Sequence, residues 1–243
     1  MSNLPGVNAA AAGLGHINCP PDRDGVYRRL PLIISTSSGM IPSIALRTVC
    51  SYLDVAPEQV RMPDGRKIIL SDARFPDGRR ADITIPVDGR GRNRINFSAA
   101  WNDAFNHYSF ATIINTGATL EGLRDLTDEL EGALAVVSDV STGSRDFGPI
   151  PLSSYFPLAG LHSHFINSIL EQEFFREAGM SYHLALDGLL IILLTIAAGY
   201  LRGTRFCLAS GALFAILFLA GIYLFMEQRF LVPMVRPSLS FIL

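Results

Sequence analysis

The sequence predicts an α/β domain, a mixed sheet with flanking helices, followed by an all-α transmembrane segment. Strand-like and helix-like pieces alternate over residues 1–180, the pattern of an α/β or α+β domain. From His183 onward the chain is two long apolar runs and the start of a third. Charge narrows the field further: 20 Lys and Arg stand against 22 Asp and Glu, for a net charge of −2. The two signs are mixed along the soluble part, which lacks the clustered basic stripe of a nucleic-acid face. Residues 1–180 are enough to bury one good core.

The soluble elements follow in order. Gly13 to Asn18 reads as a short strand or loop. Pro20-Pro21-Asp22-Arg23-Asp24-Gly25 is a turn by composition, tightest at Asp-Gly. Val26 to Ile34 reads as a strand interrupted by Pro31. Ile41 to Leu53 has helical spacing, with Ile41, Ile44, Ala45, Thr48, Val49 and Tyr52 on one face. Lys67–Leu70, Ala81–Pro86 and Arg94–Phe97 are strand-like, separated by Pro76-Asp77-Gly78 and Asp88-Gly89-Arg90-Gly91, and suggest an antiparallel meander. Ser109 suits the cap of a helix through Ile114, and Thr119 to Leu130 an acidic helix. Ala133 to Ser138 has the composition of a buried strand. A loop with Gly143, Gly148, Pro149 and Pro151 follows, and then a helix over Pro157–Gln172 that leads toward the apolar runs.

The first span is expected over 183–201 and the second over 206–226. Crossing about 30 Å of hydrocarbon takes about 20 apolar residues, and backbone groups in lipid must bond internally, so both should be helices. Arg202-Gly203-Thr204-Arg205 joins them in a tight turn, and its arginines favour the cytoplasmic side. Residues 231–243 read as the start of a third span. Met1 to Ala12 has neither a basic n-region nor an apolar h-region, so it is no signal peptide. The expectation is a piece of a longer protein, cut at both ends. Of the three cysteines, Cys19 and Cys50 read as free packed thiols and Cys207 falls in a span.

Several stretches resemble one family. Gly15-His16-Ile17-Asn18, then Asp22-Arg23-Asp24-Gly25-Val26-Tyr27-Arg28-Arg29-Leu30-Pro31-Leu32, resemble the opening motif of the type-two CHASE sensory domain. Ile41-Pro42-Ser43-Ile44-Ala45-Leu46 resembles its following helix start, and Arg94-Ile95-Asn96-Phe97 its "i-N-y" strand. Ala135 to Gly143 resembles a later strand and loop. Asp146, Pro149-Ile150-Pro151-Leu152 and Pro157-Leu158-Ala159-Gly160-Leu161-His162 resemble its "D…t-P-l…P-l-x-G-v-H" stretch. The resemblance runs from Gly13 to Leu243. Ser138-Asp139 departs from the usual Val-Gly, and the family's N-terminal half has no counterpart here. The resemblance implies an extracytoplasmic sensor input in a multi-pass protein of the bacterial inner membrane. Such an input feeds a nucleotide cyclase or kinase, which this chain lacks. Its implied partners are membrane lipid, an unknown small ligand and a second copy as a homodimer, with no nucleic acid and no cofactor.

His162, Asp139, Asp146, Asp24 and Arg28 are the candidate ligand or signalling residues. His162 matches the family's histidine; His164, two residues on, points to another face of a helix. With Asp139 and Asp146, His162 would suit the alternative of a membrane-anchored periplasmic metal-binding protein or hydrolase. The plainer reading of His162 is a helix-start histidine bonded to the preceding loop. Asp22, Asp24, Arg28 and Arg29 read either as a polar pocket or as a turn with local ion pairs; the Asp and Glu that complete a calcium loop are missing. No G-x-S-x-G supports Ser141, Ser144 or Ser153 as a nucleophile. Asp187 is a charge in a span, an interface anchor or a signalling group.

Overall fold

Proline cannot donate to a strand ladder, and Pro31 divides its run accordingly. In the computed structural model, which describes residues 5–37, 39–141, 146–177 and 179–231, strand β1 covers Arg29–Pro31 and β2 covers Ile33–Thr36. Ahead of them lies a short helix, α1 (Pro5–Ala10). β2 pairs antiparallel with β3 (Gly39–Pro42). Helix α2 (Ile44–Tyr52) follows, and the Ser43 hydroxyl caps it by accepting from the Leu46 N–H. Its buried face is Ala45, Leu46, Val49 and Cys50, not the expected stripe through Ile41, Thr48 and Tyr52. Ile41 and Pro42 belong to β3, so the helix begins later and its inward face is turned by about one residue.

β4 (Val60–Arg61), β5 (Lys67–Arg74) and β6 (Arg80–Pro86) form an antiparallel sheet that alternates buried and exposed positions, with Ile68, Leu70, Ile83 and Ile85 inward. A bulge interrupts β5 where Asp72 takes φ 55° and its N–H donates to Asp82. The expected third strand of the meander does not join this sheet. β7 (Arg92–Arg94) pairs with β1 instead, Leu30 opposite Asn93. The Asp88 carboxylate accepts from the Arg90 and Arg92 amides and pairs with the Arg92 guanidinium, closing a turn that redirects the chain.

α3 (Trp101–Ala104), α4 (Phe110–Thr116) and α5 (Leu120–Leu130) come next, the last two capped by Ser109 and Thr119. Ala133–Ser138 is not a buried strand. Val137 is 86% exposed, and no strand pairs with the segment among the described residues. A β-rich composition makes a strand only where a partner edge is available. The stretch expected to be a loop holds a hairpin, β8 (Phe147–Ile150) with β9 (Ser153–Pro157), stacked through Phe147 and Tyr155; Gly143 lies outside the described residues.

Helix α6 (Ala159–Leu170) runs through the core and packs on α2, β1 and β9. Leu161, Phe165 and Ile169 are fully buried with Leu30, Leu46 and Phe156. Gly160 is required there, because a Cβ would lie 2.7 Å from the Trp101 and Phe156 rings.

These elements make one compact unit, Met1–Glu173; a second is Phe174–Leu243. The second holds α7 (Met180–Tyr200) and α8 (Thr204–Gln228), and pairs β10 (Arg176–Glu177) in parallel with β11 (Phe230–Leu231). Ser181–Tyr200 and Thr204–Gln228 are long and apolar enough to cross a membrane, with mean hydropathies of 1.8 and 2.3. Thr204 and Arg205, expected in the turn, already belong to α8. Residues 232–243, most of the expected third span, lie outside the described residues.

Candidate functional site

A strap, Gly13–Asn18, lies along the start of α2. The His16 amide donates to the Pro42 carbonyl at 2.9 Å, and the Ile44 amide donates to the His16 carbonyl at 2.8 Å. Only glycine permits this approach at position 15, where a Cβ would fall 2.6 Å from the Ile44 nitrogen. The backbone pairing fixes His16 and buries its side chain, with neither ring nitrogen hydrogen-bonded.

α6 presents two histidines to two surroundings, as an i, i+2 spacing on a helix requires. His162 is buried toward the strap. Its ring bonds the backbone of Ile17 and feels the charge that His16 would carry, while its Nδ1 has no partner. His164 lies on another side, 1% exposed, with its ring centroid 5.3 Å from Phe97, 5.0 Å from Phe105 and 5.7 Å from Phe156. Its Nδ1 is 3.4 Å from the Ser98 hydroxyl, and its Nε2 has no partner.

Buried polar atoms are nearly always hydrogen-bonded, so exceptions mark places to examine. Among the described residues five buried side-chain polar atoms have no partner, and four are ring nitrogens of these histidines. Burial favours the neutral ring at all three. It lowers the His16 and His162 pKa values and brings His164 down to about 4; the charge on His16 adds to the effect at His162.

The Asp22–Arg29 turn has opposite character. Arg28 pairs with Asp24 at 2.8 Å and Asp22 at 3.5 Å, and Arg29 pairs with Asp22 at 2.8 Å. The Asp24 carboxylate also accepts from the Val26 amide. The Arg28 hydrogen bond, with help from that amide, holds the Asp24 carboxyl at about 2. The turn satisfies itself through local pairs, the plainer of the two readings. Nearby, burial first and then Asp22 push the Cys19 thiol up to about 12, and burial pushes Cys50 up to about 11. Both are free thiols.

Asp139 and Asp146 are exposed. Asp139 accepts from the Ser141 amide, which lowers its pKa. Among the described residues no three of His, Cys, Asp or Glu gather as metal ligands, so His162, Asp139 and Asp146 do not converge. Asp187 is half-buried in α7, and Ser144 lies outside the described residues. Beside the strap is a cleft of about 450 Å³ lined by Leu14, Ile33, Met40, Leu46, Arg47 and Cys50. Arg47 reaches over it to donate to the Ala12 carbonyl at 3.0 Å.

The model of one family, the CHASE2 domain, matches residues 2–201. The chain belongs to the CHASE2 domain family. No curated protein and no solved structure matches it significantly. A CHASE2 domain is an extracellular sensory domain, not a catalytic one. In this CHASE2 chain the match takes in the strap, α2, α6 and α7, so it includes all three buried histidines. His16 and its environment escape sequence reasoning, because a lone histidine between glycine and isoleucine carries no local sign that it will be buried against a helix 146 residues later.

Proposed function

We propose that this chain is the extracytoplasmic input module of a bacterial transmembrane receptor of the inner membrane. Its stimulus is read in the α/β unit and passed along α6 toward α7 and α8, and from there to a cytoplasmic cyclase or kinase outside this chain. The observation that carries the reading is the order of parts: an α/β unit within a CHASE2 match that runs on through α7, the first of two helices long and apolar enough to span. In sequence, only residues 171–179 separate α6 from α7. Lipid surrounds α7 and α8 in this reading, the receptor works as a homodimer, and the cleft beside Arg47 is a place for a small ligand. Signalling requires two states with different affinity for the stimulus.

Alkaline phosphatase fusions after Gln172 and after Gly203 test the orientation. Activity at Gln172 with silence at Gly203 is expected. The reverse pattern would place the α/β unit in the cytoplasm and end the extracytoplasmic reading.

A further inference from the structure

Helix α6 is held on two sides by buried, neutral imidazoles. His162 meets the strap through Ile17 and His16, and His164 sits among Phe97, Phe105 and Phe156. Each ring leaves at least one nitrogen without a partner, so each has an unused protonation site inside the fold. We propose that the stimulus of this domain is the proton itself, read at His16, His162 and His164, whose protonation releases α6 from the strap and from the aromatic pocket. This rests on the sensory reading above and names its stimulus.

Among the described residues, none offers these rings a compensating charge. On the elements packed against α6, the titratable or charged groups are Arg47, Cys50 and Tyr52 of α2, Arg29 of β1 and Tyr155 of β9, with the Tyr52 hydroxyl donating to the Gly132 carbonyl; Asp103 and His107 follow the Phe97–Ser98 segment. Arg47 donates to the Ala12 carbonyl, Arg29 pairs with Asp22, and Cys50 is held neutral by burial. Tyr155 stacks on Phe147, and His107 bonds the Trp101 carbonyl. Among the described residues the one charged group that acts on any of the three rings is His16 on His162, and it is repulsive. A proton on any of them is therefore a buried, unpaired charge, which strongly favours conformations that expose it. Histidine is the side chain whose ordinary titration falls in the mildly acidic range where such a switch is useful. Depressed folded pKa values make the response lie below the ordinary histidine value, between about pH 6.5 and 4.

The test is hydrogen–deuterium exchange on the full chain in lipid nanodiscs at pH 7.5, 6.5, 5.5 and 4.5, corrected for the intrinsic exchange rate. Protection of residues 13–18 and 159–170 should fall by about tenfold to a hundredfold between pH 6.5 and 4.5, while β5 and β6 keep theirs. H162Q and H164Q should each shrink the fall, and H107Q should leave it unchanged. Flat protection of α6 down to pH 4.5 would overturn the proposal. So would an equal fall in β5 and β6, which is global acid unfolding and needs no variant to detect. The fusion experiment separates this proposal from the sensory reading: an extracytoplasmic domain with flat exchange remains a sensor, of another stimulus.

Discussion

The Asp22–Arg29 turn and the three buried histidines treat charge in opposite ways. In the turn, two carboxylates and two guanidiniums pair with one another, each within 3.5 Å of a partner and within reach of water. At the histidines, burial removes water and leaves at least one nitrogen of each ring without a partner, which favours the neutral form. The lesson is that a conspicuous charge motif can be structurally self-contained, while plain histidines carry the unsatisfied chemistry. A carboxylate that bonds its own turn has little left to offer a ligand. A buried imidazole with a bare nitrogen has a proton still to gain.

The largest test of this contrast lies in the strap. Gly15→Ala should drive a Cβ into the Ile44 backbone nitrogen and undock His16, destabilising the protein by about 2–4 kcal/mol. Gly25 also has a special backbone, φ 82°, but open space around it. Gly25→Ala should therefore cost only about 1 kcal/mol. Urea denaturation of both variants measures the difference, and equal costs would show that the strap is not tightly docked.

The second test separates two acid windows. The folded pKa of His164 is below its unfolded value, so the unfolded chain binds more protons and stability falls as pH drops from about 6.5 toward 4. The loss from this ring alone should be about 2–3 kcal/mol by pH 4.5, with His16 and His162 acting in the same direction. Asp24 has a depressed folded pKa as well, but the charged form is the favoured one. Its contribution is present above the ordinary carboxylate range and disappears only as pH falls toward about 2. Denaturation midpoints against pH should lose part of their upper slope in H164Q and only their lowest slope in D24N. A shared window would erase the distinction.

The smallest effect is expected in the turn itself. Asp22 serves both arginines, and Asp22→Asn should cost about 1 kcal/mol at pH 7 with no change in the histidine-dependent slope below about pH 6.5. A loss as large as that of Gly15→Ala would make the turn a structural keystone in place of the strap.

Local chemistry was legible in the sequence wherever it was also sufficient. Ser109 and Thr119 cap α4 and α5 where expected, since a hydroxyl and an orphan amide three residues on are all a cap needs. The two apolar runs became α7 and α8, helices whose length and composition suffice to cross a membrane. The Asp22–Arg29 turn closed on itself as one of its two readings required. Tertiary structure decided whatever depended on a distant partner. β7 left the meander for β1, Ala133–Ser138 has no partner strand among the described residues, and the buried face of α2 turned because β3 claimed Ile41. His16, His162 and His164 belong to the same class. Whether a histidine is solvated or stranded depends on which surfaces close over it, and here those surfaces come from the strap, from α6 and from the Phe97–Phe105 segment, which only the fold brings together.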